Sequence, residues 1–245
     1  MTDAPSNSAF PASAARPRVT HAMEDYLKAV YRLADSGAAV TTQRLADELG
    51  VTPASVTNMV KRLDDLTLLT HAPYKDVTLT EAGRKIALEV IRHHRLLELY
   101  LAETLGMPWD EVHAEAERLE HHLSEELEAR MDSALGFPTR DPHGDPIPTR
   151  ELTLDTSSTV RLSEVEAGQR AVVARVSDRD PAQLRYLGTL GLYPGRTITV
   201  LERHAADSVI RITVEGGSSE PSTIGQALAG TVDVVVDITT DPVAE

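Results

Sequence analysis

The chain has 245 residues, 41% of them hydrophobic and 25% charged, the proportions of a globular protein with room for two or three small cores. It contains no cysteine, which excludes disulfides and thiolate metal sites, so a transition-metal site must draw on His, carboxylate, Met sulfur or backbone carbonyl. A net charge of −14 argues by itself against nucleic-acid binding, but residues 1–90 carry 10 Lys and Arg against 11 Asp and Glu, residues 91–245 carry 14 against 27, and all four lysines (Lys28, Lys61, Lys75, Lys85) lie in the first part, so two jobs on one chain are expected.

Residues 1–18 are rich in Pro, Ala and Ser and read as a disordered arm, an idle tail being the simpler reading beside one in which Arg16 and Arg18 touch phosphate. The arm lacks the charged start and apolar run of a secretory signal, and no later apolar run is long enough to span a bilayer, so a cytoplasmic address and no membrane partner are expected. In 20–36, Met23, Tyr26, Leu27, Val30, Tyr31 and Leu33 recur at spacings of three and four, which predicts a helix with Thr20 as its cap and Gly37 as its stop.

Residues 41–69 read as two short helices around a glycine turn. Thr41 or Thr42 caps the first, which carries Leu45, Ala46 and Leu49; Gly50 makes the turn; Thr52 caps the second, with Pro53 at its first position, where a missing N–H costs nothing. Val56, Met59, Val60 and Leu63 form the second helix's buried stripe, and Ala54, Ser55, Thr57, Asn58 and Lys61 face away, small or polar as entry to a major groove requires. LLTHAPYKDVTLT then reads as two strands around a polar tip, a wing. The alternative is a helical pair with no DNA role; the agreement of cap, Pro, Gly and polar outer face favours DNA.

A long helix is expected over 80–104 from the cap Thr80, and a second from Met107-Pro108-Trp109-Asp110 to about Leu135. FPTRDPHGDPIPTRELT is irregular and reads as a linker. Beyond residue 160, AVVARVS, TITVLERH, SVIRITVE and TVDVVVDI are β-branched runs of a small antiparallel barrel or sandwich, interrupted by one helix in DPAQLRYLGTLGL.

The stretch HAEAERLEHHLSEELE (113–128) carries three His and six Glu. On a continuous helix His113, Glu117, Glu120 and His121 share a face about 100° wide, bordering the apolar stripe of Val112, Ala116, Leu119, Leu123 and Leu127. Glu111, Glu115, Arg118, Glu125 and Glu126 fall opposite and need only water. Carboxylates at the edge of a core must protonate, find a cation or share a metal ion. His94 and Glu98 stand four apart on the preceding helix, and Asp25 lies near the start of the first, so a set of hard oxygen and imidazole donors suits Mn(II) or Fe(II), and less selectively Zn(II). Glu/His-rich helices are often merely soluble; the border position favours metal.

These residues resemble the metal-dependent repressors typified by the diphtheria toxin repressor and the manganese transport regulators, over roughly residues 19–235. The resemblance is carried by MEDYLKAVYRL, the helix-turn-helix, HHRLLELYL, HAEAERLEHHLSEELE and DPHGDPIP. It implies a mainly α protein with a β domain: a winged helix-turn-helix at 19–90, a helical metal-binding and dimerisation domain at 91–140, a linker at 141–160 and an SH3-like small β-barrel at 161–240. It implies a primary metal site of Asp25, Glu117, Glu120 and His121 and an ancillary one of His94, Glu98 and His113, to which the SH3-like domain adds ligands, matched most nearly by Asp180 and Gln183. Iron-type members have Met and Cys at the positions of Asp25 and Glu117, so the all-hard set here resembles the manganese type. Two-domain manganese members, however, have Glu at the position of Lys28, which departs from a close two-metal cluster.

The implied function is a manganese- or iron-responsive transcriptional regulator, acting as a metal-activated homodimer on palindromic operators in double-stranded DNA to control metal uptake, with no enzyme activity and no small organic substrate. For base contact the expected residues are Thr52, Ala54, Ser55, Thr57 and Asn58, and for phosphate Lys61, Arg62 and Lys75. Ala54 and Thr57 are too short for bidentate readout, so DNA shape and methyl contacts carry much of the specificity. The rival readings are a helical metallohydrolase, which needs an open coordination position and leaves the helix-turn-helix unexplained, and a winged-helix regulator that senses an organic ligand.

Overall fold

The computed structural model describes residues 19–71, 76–155, 157–204, 207–217 and 220–237. It divides into two compact units, Met1–Ala87 and Leu88–Glu245.

The first unit holds α1 (His21–Asp35), α2 (Thr42–Leu49), α3 (Pro53–Asp65), β1 (Leu69–Thr70) and β2 (Thr78–Leu79). The signals read in the sequence act as expected: the Thr41 hydroxyl accepts from Arg44 N–H, Gly50 turns the chain at φ 64°, and the Thr52 hydroxyl accepts from Ser55 N–H beside Pro53. Leu45, Ala46, Val56, Val60 and Leu63 are buried with Met23, Leu27 and Val30 of α1. β1 and β2 pair antiparallel, Leu69 with Leu79 and Thr70 with Thr78. The tip of this wing, including Lys75, lies outside the described residues, as do residues 1–18 with Arg16 and Arg18. α4 (Glu81–Leu105) starts hard against the wing stem: Thr80 Oγ1 donates to Thr67 O at 2.8 Å, and a Cβ on Gly83 would come within 1.8 Å of the Leu68 carbonyl oxygen.

In the second unit α4 packs on α5 (Val112–Leu119) and α6 (Glu125–Ala134) through Leu97, Ala116 and Met131. The helix expected to run to Leu135 is two helices. A 3-10 turn at Glu120–His122 ends the first, Leu123 is extended (φ −74°, ψ 123°), and the Ser124 hydroxyl caps the second by accepting from Leu127 N–H. Three glutamates in the first turn of α6 complement its dipole, so a new start there is favoured over continuation. The break also changes which leucines are inside: Leu119 and Leu127 are 38% and 49% exposed rather than part of one buried stripe.

The C-terminal part is a six-stranded antiparallel sheet in the order β3-β8-β4-β5-β6-β7: β3 (Val160–Arg161), β4 (Arg170–Val176), β5 (Thr197–His204), β6 (Val209–Val214), β7 (Ser222–Gly225) and β8 (Val232–Val236). The short edge strands β3 and β7 escaped the sequence reading. One apolar core takes side chains from five strands and from α7 (Pro181–Thr189), among them Val173, Val200, Ile212, Ile224, Val234 and Leu187, so the sheet wraps around a single interior as an SH3-like barrel does. α8 (Gln226–Ala229) adds Ala229 to that core.

The segment expected to be a linker is irregular but not free. Asp141, His143 and Ile147 are buried, and Ile147 packs with Leu96 and Leu99 of α4. Among the described residues no helix is long and apolar enough to cross a membrane.

Candidate metal centre

Leu96, Leu97 and Leu99 seat α4 in the core, which turns His94 and Glu98, one helical turn apart, inward with 1% and 0% exposure. α5 brings His113 and Glu117 to the same place, and the 3-10 turn swings Glu120 fully inside. His94 Nδ1 lies 2.6 Å from Glu120 Oε2, a carboxylate placed to accept a hydrogen bond from the ring. His94 Nε2 lies 2.9 Å from Glu98 Oε1 and 3.1 Å from His113 Nδ1, so the two ring nitrogens face two different carboxylates.

His113 Nδ1 is also 3.0 Å from Glu98 Oε1 and 2.9 Å from Asp178 Oδ2, so one ring nitrogen that can carry one proton faces two carboxylates as well as a second imidazole. Separations near 3 Å are those of neighbouring ligands on one cation with bonds of ~2.1 Å. The four side chains present donor atoms all within 4.8 Å of one another, and as two imidazoles and two carboxylates they fit a divalent cation of the Mn or Fe type.

Two further groups adjoin this one. His94, Glu117 and Glu120 converge within the same limit, and His121 Nε2 stands 3.4 Å from Glu120 Oε1. On the other side Glu98, Asp141 and His143 form a fully buried trio. Glu98 Oε2 and His143 Nδ1, 3.8 Å apart, have no hydrogen-bond partner among the described residues, while His143 Nε2 is anchored to the Trp109 carbonyl at 2.7 Å. Buried polar atoms left unpaired are costly, and these two face each other with Asp141 alongside.

The charges report the same crowding. Burial pushes Glu98 up, but the His94, His113 and His143 rings outweigh it and hold the carboxyl well below the usual range. Burial pulls His113 down, but Asp178 and Glu98 outweigh it and raise the ring to about 10; His143 rises likewise to about 9 beside Glu98 and Asp141. Asp141 moves well above the carboxylate range, first through burial and then through its neighbours Asp145 and Glu98. Protons thus hold together, at neutral pH, groups that a metal ion would otherwise join.

His94, Glu98 and His113 come together as the sequence suggested, and Glu117, Glu120 and His121 adjoin them. Asp25 stands half-buried on α1 in the first unit. Asp180 and Gln183 do not join the cluster. Asp180 caps α7, its carboxylate accepting from Ala182 N–H, Gln183 N–H and the Gln183 amide, because the Asp-Pro pair puts a capping acid just before a helix-opening proline. The carboxylate that reaches His113 is Asp178, two residues earlier. Asp141 and His143 were passed over because DPHGDPIP reads as punctuation; the one available signal was its density of ligand-type residues.

On the first unit Thr52, Ala54, Ser55, Thr57, Asn58, Lys61 and Arg62 are all exposed along α3. Three hydroxyls are already engaged, those of Thr52 and Ser55 with each other at the cap and that of Thr57 donating to the Pro53 carbonyl at 2.9 Å.

Comparison with known proteins matches three family models: the N-terminal DNA-binding domain of iron-dependent repressors over 18–77, their metal-binding and dimerisation domain over 80–149, and the FeoA domain over 160–236. The iron-dependent repressor IdeR of Mycobacterium tuberculosis is 35% identical over 189 residues, 72% of this chain and 82% of its own. The diphtheria toxin repressor of Corynebacterium diphtheriae is 35% identical over 125 residues, 51% and 55% of the two chains. Among solved structures, a manganese-dependent transcriptional repressor in complex with manganese superposes with a TM-score of 0.82 at 38% identity, covering 87% of this chain and 99% of that one.

Proposed function

The chain belongs to the iron-dependent repressor family, a family of metal-dependent DNA-binding transcriptional repressors and not of enzymes, and from that premise we propose that manganese is its activating metal. The observation that carries the choice is the donor set: every ligand-type atom in the cluster is carboxylate oxygen or imidazole nitrogen, the chain has no cysteine, and hard donors of this kind suit Mn(II). A relative whose structure was solved with manganese bound supports the same choice.

In this reading Asp25, Glu117, Glu120 and His121 hold one ion, and His94, Glu98, His113 and Asp178 hold another. A bound divalent ion supplies positive charge that offsets the mutual repulsion of the carboxylates. His94 ties the two groups together: its Nε2 faces the second while its Nδ1–H donates to Glu120 of the first, which orients both. Without the ion, Asp25, Glu117 and Glu120 repel, and the DNA-reading unit is free to shift against the dimerisation helices. With it, the two recognition helices α3 of a homodimer are fixed at the spacing of successive major grooves, ~34 Å, on a palindromic operator. Thr52, Ala54, Ser55, Thr57 and Asn58 face the bases, and Lys61, Arg62 and Lys75 the phosphates. Coupling of this kind amounts to ~1–3 kcal/mol between linked binding events. A chromosomal target means that the protein works in the cytoplasm, on genes of metal uptake.

The test is operator affinity measured by fluorescence anisotropy at fixed salt with Mn(II), Fe(II), Zn(II) or chelator. Tight binding with Mn(II) and loss in chelator is expected; equal affinity in all four conditions removes the mechanism.

A further inference from the structure

Asp178 lies in no regular element; it follows the end of β4 by two residues, so whatever fixes that strand end fixes the carboxylate. Three independent contacts do so. Val176 N–H donates to the His143 carbonyl at 2.8 Å. Gly144, at φ +90°, lies so close that a Cβ would come within 2.1 Å of the Ala174 carbonyl oxygen. A register shift against β8 between Val173 and Arg175 re-aims Arg175, which then spans two carboxylates: Asp145 Oδ1 at 3.0 Å and Asp233 Oδ2 at 2.8 Å.

Asp145 in turn meets Arg95 at 3.1 Å, on the same helix as His94 and Glu98, and Asp233 also meets Arg161 at 2.8 Å. A ladder of alternating charge, Arg95–Asp145–Arg175–Asp233–Arg161, therefore runs from the helix that supplies two donors to the strand that delivers a third. Asp145 and Asp233 are largely buried, and removal of their shared cation leaves each under-compensated.

We infer that Arg175 is a positioning residue: through Asp145 and Asp233, with Gly144 beneath the strand, it fixes the end of β4 so that Asp178 meets His113, and thereby sets the affinity of the His94–Glu98–His113–Asp178 group for a divalent cation. The inference rests on the reading of that group as a metal site.

The experiment uses the full chain, stripped with chelator and titrated with Mn(II) by calorimetry, with ion content measured after dialysis. Arg175→Met and Asp178→Asn are each expected to weaken the ions held by this group by ~10–100-fold. The double variant should be no weaker than the weaker single variant, because both changes remove the same ligand. Arg175→Lys restores a cation between Asp145 and Asp233 and should recover part of the loss, and amide exchange of residues 174–178 in chelator should quicken in Arg175→Met alone. Wild-type Mn(II) affinity in Arg175→Met, or strict additivity in the double variant, overturns the positioning role. Unchanged affinity in Asp178→Asn overturns the metal reading of the group, and the inference with it. Should Arg175→Met fail to fold, Asp145→Asn carries the same expectation, and wild-type affinity there is equally fatal.

Discussion

Glu98→Gln keeps the volume of a side chain that is fully buried and removes only its charge. Oε1 of Glu98 lies 2.9 Å from His94 Nε2 and 3.0 Å from His113 Nδ1, and with His113 raised to about 10 the latter contact at pH 7 is between opposite charges. Breaking a buried pair by neutralising one partner costs ~3–5 kcal/mol; since Gln retains an acceptor oxygen and Asp178 still faces His113, the lower end applies, about 3 kcal/mol in the metal-free protein. For a unit of this size that lowers the melting temperature by roughly 6–12 °C. The assay is thermal unfolding followed by circular dichroism, in chelator and again in Mn(II). Wild type should gain about 2.7 kcal/mol at an ion concentration a hundredfold above its dissociation constant, and Glu98→Gln should lose most of that gain. A Gln variant that melts in chelator at or above wild type, and gains as much from Mn(II), would show that Glu98 is neither paired nor a ligand.

Three other outcomes are expected. His113 titrates near 10 in the fold against 6.5 otherwise, so its stabilising contribution is complete below pH 6.5 and is lost as pH rises through about 10. Urea melts in chelator should therefore weaken from pH 7 to 9.5, while Mn(II) affinity, which requires that proton to leave, climbs by about tenfold per unit over the same window, with proton release visible as a buffer-dependent calorimetric enthalpy. Leu127→Glu, at a half-exposed leucine of the dimerisation domain, should give monomers in light scattering at micromolar concentration and weaken operator binding without unfolding the chain. Asn58→Ala, on the exposed face of α3, should weaken operator binding by about tenfold and leave the Mn(II)-induced stabilisation untouched.

Local grammar was the readable part of the sequence. Thr41, Gly50, Thr52 and Pro53 act within a few residues of themselves, so the helix-turn-helix could be placed from them alone. His94 and Glu98 were found because one helical turn separates them. The misreadings came where two local signals competed or where partners were far apart. Ser124 and its three following glutamates are a helix start inside a stretch whose ligand pattern suggested continuity. Asp178 meets His113 across 65 positions of chain, and no periodicity relates them; the resemblance pointed instead to Asp180 and Gln183, at the start of α7 close by. His143 sits 45 positions from Glu98 in a segment of Pro and Gly, the composition by which loops are ordinarily dismissed.

The burial of Asp141, His143 and Ile147 makes the FeoA-type barrel a poor candidate for independent expression. Trp109, contributed by the helical side, packs on the barrel core and stacks against His143, and Arg185 of α7 reaches back to Asp110 at 2.8 Å. A cut between Asp141 and Ile147 would strip one piece of its cover and strand acids on the other. The barrel is thus less a tethered accessory than a contributor to the cluster itself, and a shortened relative lacking it would have to replace the carboxylate that meets His113 with another group.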